Sequence, residues 1–339
     1  MDSQLSEQRR NGTFSLTGAV ELGTVERSGF VESRHAGAAV VFSPEGDVIR
    51  QLGETTAPVF ARSCLKPFQA LAVMTSGIVL RGVDAAIATS SHTGTVAHVE
   101  LVRKLLAREN IPENALGCPR DEPSDATTRE ALIRTGASAT SRLYMSCSGK
   151  HAAMLLACVA NDWPLAGYLE PEHPVQKRIL DVITRFTGER PDGTGIDGCG
   201  APVYAITLRG LARGIQKVTQ SQASSPFAIH REAAALTEAV RENSWAVAGP
   251  GQPDTIAISR LGVFAKSGAE GLVVMSAANG TTAAVKVLDG SSRASALVAL
   301  WLLAHADAIS YSDVDEVYNE LDLWVMGGER RVGKIRPSV

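Results

Sequence analysis

The stretch GVFAKSGAEGLVVMSAANGTTAAVKVL, residues 262–288, decides the fold, because glycine-containing turns separate three runs of small and β-branched residues in it. Such runs are typical of neighbouring β-strands. The pattern predicts three strands of a meander, Gly262–Lys266, Leu272–Ala277 and Ala283–Leu288. We expect a strand before them at Thr255–Ser259 and a helix after them at Ala294–Ile309.

A second strand pattern lies in the N-terminal part of the sequence. Gly37–Ser43 reads GAAVVFS, which is typical of a buried strand, and turn residues follow it at positions 44–47. Asp47–Leu52 then returns as a hairpin partner, and Ala85–Thr89 is predicted as a further short strand. Strands from both ends of the sequence are expected to share one sheet.

The middle of the sequence is predicted to be mainly helical, because apolar residues recur there at three and four positions. The predicted helices begin at Pro67 and cover Val96–Glu109, His151–Asn161, Pro174–Thr187 and Ile229–Glu242. The sequence therefore predicts an α/β fold, with a mixed sheet from both chain ends and a helical middle lobe. We expect one catalytic domain of two lobes, an α/β lobe of about 15–65 and 250–339 and a helical lobe of about 66–249.

Composition disfavours several classes of protein. The 339 residues are 45% hydrophobic and 20% charged, with a formal net charge of -3, which offers no attraction to nucleic acid or anionic lipid. Met1–Gly18 lacks the apolar stretch of a secretory signal, and the most apolar run, Ala296–Ala304, is too short to span a bilayer. We expect a cytoplasmic protein with a small-molecule partner, and neither a nucleic-acid nor a membrane partner.

Ser63 and Lys66 lie one helical turn apart, just before Pro67 at a predicted helix start. A lysine whose pKa is lowered by burial or by a second cation can accept the proton of a serine hydroxyl and make it a nucleophile. The same spacing also arises by chance. Two features favour the catalytic interpretation: the helix start can stabilise an oxyanion, and lysine is used sparingly in this sequence.

Two further segments carry groups suited to the same chemistry. Lys266 ends a predicted strand before a Ser-Gly pair, as in the Lys-Thr/Ser-Gly strand that accompanies Ser-x-x-Lys in serine β-lactamases. Ser91 lies in the segment Ser90–Gly94, where hydroxyls and N–H groups before a helix can bind a carboxylate or an oxyanion. The structural alternatives are a surface lysine and a helix N-cap, although a cap needs only one of these residues.

Cysteines occur in two glycine-containing turns, with Cys147 in the first and Cys199 in the second. Five cysteines and no export signal favour reduced thiols. Two thiolates can hold zinc, but Cys-x-x-Lys is not a standard zinc spacing and zinc requires a neutral lysine. The residues alone therefore favour buried, inert cysteines.

Several blocks of sequence occur together in one order. They are Val31–His35, Arg62–Ala70, Ser91–Gly94, Cys147–His151, Gly195–Gly200, Ala265–Gly271 and Val332-Gly333. In content and order they resemble the asparaginase II family, the serine-dependent bacterial L-asparaginases, over nearly the whole sequence.

The resemblance implies a fold similar to serine β-lactamases and glutaminases, a homodimer, and hydrolysis of the side-chain amide of L-asparagine. It implies two catalytic pairs, Ser63 with Lys66 and Ser91 with Lys266, and leaves open which serine is acylated, although spacing favours Ser63. It implies that Asp197 holds the α-amino group of the substrate. The other substrate-binding residues expected are Arg62, His92 and His151.

The resemblance also implies a zinc site at Cys147, Lys150 and Cys199, in place of the inert cysteines that the residues alone favour, and no organic cofactor. Two other functions stay open at this stage. One is a penicillin-recognising serine hydrolase, which the missing export signal disfavours. The other is a catalytically silent protein that binds zinc or an amino acid on the same scaffold.

Overall fold

The structure is a computed structural model, and it describes residues 12–339. Residues 1–11, part of the N-terminal segment interpreted above as lacking a signal, lie outside the described residues. The strands are β1 (Val20–Arg27), β2 (Phe30–Phe42), β3 (Val48–Leu52), β4 (Pro58–Phe60), β5 (Gly193–Ile196), β6 (Pro202–Thr207), β7 (Phe264–Gly268), β8 (Leu272–Ser276), β9 (Thr282–Val287), β10 (Trp324–Gly327) and β11 (Arg330–Pro337).

Helices fill most of the sequence between the two groups of strands. The α-helices are α1 (Lys66–Met74), α2 (Val83–Ala88), α3 (Val96–Ala107), α4 (Ala126–Thr135), α5 (Ser148–Ala160), α6 (Pro174–Thr187), α7 (Leu208–Thr219), α8 (Ala228–Glu242), α9 (Ser244–Val247), α10 (Pro253–Leu261), α11 (Ser295–His305) and α12 (Tyr311–Val317). Short 3₁₀ turns cover Leu16–Gly18, Arg62–Leu65 and Glu113–Ala115.

The main sheet has eight strands and combines both ends of the sequence. Its order is β10-β11-β1-β2-β9-β8-β7, and β3 also pairs with β2. The central contact joins β2 to β9, with Ala39 opposite Val285. The predicted fold class, an α/β protein whose sheet is built from both ends around a helical middle, is confirmed.

The pairing within that sheet corrects one detail of the prediction. Every strand pair among the described residues is antiparallel, so the sheet is not mixed in strand direction. All residues of β8 and β9 are buried, because α7 and α11 both pack against these strands and the sheet is covered on both faces. Burial on two faces explains the continuous runs of valine and alanine, which replace the alternation of a one-sided sheet.

Two predicted strands are helices. Ala85–Thr89 falls mostly in α2, and Thr255–Ser259 lies inside α10. A short apolar run does not separate a buried helix from a buried strand, and alanine favours the helix. For α10 the helix signals are present in the sequence, with Pro253 in its first turn and Gly262 in the left-handed conformation just after its end.

A three-stranded sheet, in the order β4-β6-β5, lies outside the predicted scheme. It joins residues 58–60, next to the Ser63 turn, to residues 193–207, which include Asp197 and Cys199.

The predicted buried helix near Ala296–Ala304 is present as α11. Within residues 12–339, no helix combines the length and the apolar character needed to cross a bilayer.

Candidate active site

Ser63 lies in the 3₁₀ turn Arg62–Leu65, which leads directly into α1. Lys66 is the first residue of α1 and is fully buried. Arg62 has a φ of 46°, a left-handed conformation that costs free energy for any residue other than glycine. The turn that carries Ser63, the predicted nucleophile, and leads to Lys66, the predicted base, therefore begins with a strained backbone conformation.

The side chain of Lys66 contacts Ser91, and this differs from the expected pairing. Lys66 Nζ lies 2.8 Å from Ser91 Oγ and donates a hydrogen bond of 2.5 Å to the carbonyl oxygen of Ser90. Among the described residues, the Ser63 hydroxyl makes no hydrogen bond to Lys66. The expected pairs of Ser63 with Lys66 and Ser91 with Lys266 are therefore not the hydrogen-bonded pairs of this structure.

The buried environment prepares Lys66 to act as a base. The pKa of Lys66 is lowered to about 8: burial lowers it most, the charges of Lys266 and Lys150 add to this effect, and the charge of Cys147 opposes it. A lysine with this pKa is partly neutral near pH 8 and can accept a proton from a hydroxyl in contact with it. A lysine with a lowered pKa and a serine hydroxyl thus lie within hydrogen-bond reach of each other.

Ser91 is held by backbone hydrogen bonds to the segment after α9. The Ser91 N–H donates to Val247 O and the Thr93 N–H donates to Ala248 O, each at 2.8 Å. Gly249 makes this packing possible, because a Cβ there would lie 2.3 Å from Thr93 Oγ1. The position of Ser91 is therefore fixed by the backbone of neighbouring residues.

His92, expected to bind substrate, supports this loop. It is buried, its Nδ1 accepts a hydrogen bond from the Gly94 N–H, and its Nε2 lies 2.8 Å from Ser148 Oγ. Its ring stacks on that of His98, with the centroids 4.9 Å apart. Both ring nitrogens have partners and link the Ser91 loop to the start of α5, while the substrate contact stays a prediction.

Lys266 forms an ion pair with Asp254, a residue that the sequence analysis did not identify as part of the site. Its Nζ lies 3.3 Å from Asp254 Oδ2, and both side chains are almost fully buried, with exposed fractions of 1% and 3%. Asp254 also accepts hydrogen bonds from the Ser267 N–H and hydroxyl, at 2.8 and 2.5 Å. The carboxylate therefore fixes the strand end that carries Lys266.

We expect Asp254→Asn to lower the free energy of unfolding by about 3–5 kcal/mol, because it leaves the buried Lys266 without its counter-ion. Urea denaturation followed by circular dichroism measures this. The double variant Asp254→Asn/Lys266→Met is the control and should recover part of the loss, since no uncompensated charge remains. If the single and double variants are equally destabilised, the two residues are not coupled.

The thiols of Cys147 and Cys199 lie side by side near Lys66. A hydrogen bond from Cys199, together with the charges of Lys66 and Lys150, holds the pKa of Cys147 well below its ordinary value. The same bond and burial raise the pKa of Cys199. The hydrogen bond between the two thiols therefore shifts their pKa values in opposite directions.

Lys150 faces these two thiols from the first turn of α5. Burial alone would lower its pKa, but the charges of Cys199, Cys147 and Asp197 raise it overall. Gly149 lets α5 approach α2, because a Cβ there would lie 2.3 Å from the carbonyl oxygen of Ile87. The three residues expected to bind zinc are thus adjacent, although residues 12–339 contain no group of three or more His, Cys, Asp and Glu side chains arranged for a metal.

Asp197 and Arg62 form an ion pair at the edge of the cluster. The Arg62 Nε–H donates to Asp197 Oδ1 at 2.7 Å, and the Gly198 N–H donates to the same oxygen at 2.9 Å. Burial raises the pKa of Asp197, but the charges of Lys150 and Arg62 outweigh it, so the net shift is downward. The resulting carboxylate is suited to an ammonium group of a ligand.

His151 is buried beside this cluster. Its Nδ1 lies 2.6 Å from Tyr168 OH, which also accepts a hydrogen bond from the Gly117 N–H at 2.7 Å. His151 Nε2 has no hydrogen-bond partner among the described residues. A buried polar atom without a partner is available to a ligand.

Comparison with known proteins agrees with the chemistry of the site. A family model described as L-asparaginase II matches residues 24–337. The protein is therefore an amidohydrolase by class. It belongs to the L-asparaginase II family, and the family resemblance identified from the sequence blocks is confirmed.

Solved structures give more distant matches. The protein Mglu in its native form is 14% identical with a TM-score of 0.43, and the match covers 85% of this chain and 69% of that one. A glutaminase from Bacillus is 12% identical with a TM-score of 0.42, covering 81% of this chain and 92% of that one. A β-lactamase from Mycobacterium bovis is 15% identical with a TM-score of 0.38, covering 85% and 95%. A search of curated proteins found no significant match.

Proposed function

We propose that this protein hydrolyses the side-chain amide of L-asparagine to L-aspartate and ammonia, with Ser91 as the nucleophile and Lys66 as its base. The observation that carries the proposal is the 2.8 Å contact between the buried Lys66 Nζ and Ser91 Oγ. Membership of the L-asparaginase II family supports the choice of substrate. Asp197 is suited to the α-ammonium group, and the unpartnered Nε2 of His151 to a polar atom of the substrate.

The reaction proceeds by acyl transfer in two halves. Neutral Lys66 takes the proton of Ser91, and Ser91 Oγ attacks the carbonyl carbon of the side-chain amide. The bond between carbon and nitrogen breaks, and the departing nitrogen takes the proton from the Lys66 ammonium to leave as ammonia. Water then attacks the ester with Lys66 again as base, which releases aspartate and restores the serine.

A coupled ammonia assay tests the proposed function directly. Asparagine, glutamine and β-aspartyl compounds are compared, each with and without a chelator. We expect asparagine to be preferred, because a pocket that fixes both α-groups leaves limited room for an extra methylene, a difference of about 1–3 kcal/mol. Turnover of nitrocefin without ammonia release from asparagine would reject the proposal in favour of a penicillin-recognising enzyme.

The pH dependence of kcat/KM should report Lys66. Because the neutral amine is the active form and its pKa is about 8, kcat/KM is expected to rise with pH through about 8 and to fall tenfold per unit well below it. Burial, more than the charges of Lys266 and Lys150, holds this pKa down, and the charge of Cys147 opposes them. A profile that is flat between pH 6 and 10, in protein whose circular dichroism is unchanged, would contradict a lysine base.

Zinc held by Cys147, Cys199 and Lys150 is part of the proposal. Adjacent thiols and an amine suit the preference of zinc for sulfur and nitrogen, provided that Lys150 releases its proton on binding. When bound, zinc would supply a Lewis acid beside Asp197. We expect purified protein to carry about one zinc per polypeptide, and Cys199→Ser to lose it. Cys158→Ser is the matched control and should keep the metal. It removes a buried thiol whose pKa is raised by burial alone, without a contribution from a neighbouring charge.

The homodimer and the cytoplasmic location also stay as proposals. Sedimentation equilibrium of the purified protein measures the number of polypeptides in the particle. A monomer at micromolar concentration would contradict the homodimer.

A further inference from the structure

A cavity of about 550 Å³ lies next to the proposed active site. It runs along β4 and β5 of the small sheet and reaches the end of β9. Its lining combines apolar side chains with charges of both signs, and includes Phe60, Arg62, Asp192, Glu270, Lys286 and Leu288. Cavities of roughly 300–1,000 Å³ take up drug-sized ligands, so this one has room for more than a single small amino acid.

Lys286 makes one wall of the cavity cationic. Its side chain is buried, with an exposed fraction of 7%, and its Nζ donates to the carbonyl oxygens of Glu270 at 2.7 Å and Val287 at 2.5 Å. A lysine ammonium has three donors, so one remains for a ligand. Among residues 12–339 no carboxylate lies within salt-bridge distance of Lys286. Buried charges are normally paired, and this one therefore suits an anionic group such as a carboxylate.

Glu270 lies between Lys286 and the ion pair of Arg62 with Asp197, the residue proposed to hold the α-ammonium group. Arg62 Nη1 lies 4.0 Å from Glu270 Oε1, while the Arg62 Nε–H donates to Asp197. The backbone carbonyl of the same Glu270 binds Lys286. Arg62, Glu270 and Lys286 all line the cavity, so the partner of Asp197 and the buried cation face the same space.

Resting on the proposed function, we propose that the cavity receives the second residue of an asparaginyl dipeptide. The α-amino group of its N-terminal asparagine binds Asp197, the C-terminal carboxylate binds Lys286, and an apolar second side chain packs against Phe60 and Leu288. Arg62, the ion-pair partner of Asp197, lines the cavity, so the extension leaves the substrate at its α-end and is α-linked. The amide bond of the asparagine side chain breaks, water supplies the hydroxyl, ammonia leaves, and the peptide bond remains in the aspartyl dipeptide product.

The test compares three substrates in the ammonia assay: asparagine, Asn-Leu, and Asn-Leu amide, which lacks the C-terminal carboxylate. Wild-type protein is expected to prefer Asn-Leu over Asn-Leu amide by about ten- to a hundredfold in kcat/KM, the effect of a charge-assisted hydrogen bond. In Lys286→Met the preference for Asn-Leu over asparagine should fall by a similar factor. Lys104→Met, which removes an exposed lysine paired with Asp84, is the matched control and should leave this preference unchanged.

Calorimetric titration with Asp-Leu, the expected product, gives a second readout that needs no catalysis. Asp-Leu should bind more tightly than aspartate to the wild type, and this advantage should disappear in Lys286→Met. Deamidation of asparagine but not of Asn-Leu overturns the inference and leaves the proposed function standing. If no substrate releases ammonia, the proposed function fails. The titration then decides alone, and equal binding of Asp-Leu and aspartate overturns the inference.

Discussion

Replacing Ser91 by alanine is expected to lower kcat for asparagine by roughly 10⁴–10⁶-fold, the loss found when an acyl-transfer enzyme is deprived of its nucleophile. The reason is geometric: Ser91 Oγ is the hydroxyl in contact with Lys66 Nζ, at 2.8 Å. Without it the acyl group has no acceptor atom beside the base. Single-turnover ammonia release by purified Ser91→Ala measures the effect.

Ser63→Ala is the matched control, because it removes the same atom from the other serine of the expected pairs. We expect a loss of about tenfold at most, the size of one neutral hydrogen bond. Acid-quenched wild type, digested and analysed by mass spectrometry, should carry the aspartyl ester on the peptide that contains Ser91. A larger loss in Ser63→Ala, with the ester on Ser63, would return the nucleophile to the Ser-x-x-Lys position that spacing favoured.

The fold could be predicted where the local pattern and the tertiary environment agree. The strands β8 and β9 and the helix α6 follow from runs of β-branched residues and from 3.6-residue periodicity. One of the two errors in strand prediction occurs where a short apolar segment is buried on all sides. In α2 the residues Ala85–Ala88 are all buried. The sequence therefore has no exposed polar face that would reveal the 3.6-residue period of a helix, and only packing decides between helix and strand.

The site was predictable as a set of residues but not as a set of contacts. The sequence blocks brought Lys66, Ser91, Cys147 and Asp197 into one group, yet spacing along a helix paired Lys66 with Ser63. The partner of a long side chain depends on which loop the fold brings to its tip, and for Lys66 that is the Ser90–Gly94 segment. Asp254 gave no signal, because a carboxylate at a helix start is ordinarily interpreted as a favourable charge for the helix dipole.

The second large effect is expected at Lys66, where Lys66→Met should lower kcat by about 10²–10⁴-fold, the contribution of general acid–base catalysis. Lys66→Arg should fail as badly, because a guanidinium keeps the positive charge and the hydrogen bond to Ser90 O but does not release its proton. Assays of kcat for both variants, beside the exposed Lys104→Met control, measure this.

A loss at Lys66 has two possible causes, a missing base or a displaced Ser91 loop, and an added amine separates them. In Lys66→Ala the truncated side chain leaves space for a small alkylamine, which can take the proton of Ser91 in place of Nζ. Activity should then rise with the concentration of free amine, and more steeply at higher pH, because only the neutral amine is a base. A displaced loop would not respond to amine, and an active Lys66→Arg would show that the lysine holds the loop and takes no proton. Rescue by amine together with an inactive arginine variant would therefore assign the proton transfer to Lys66 itself.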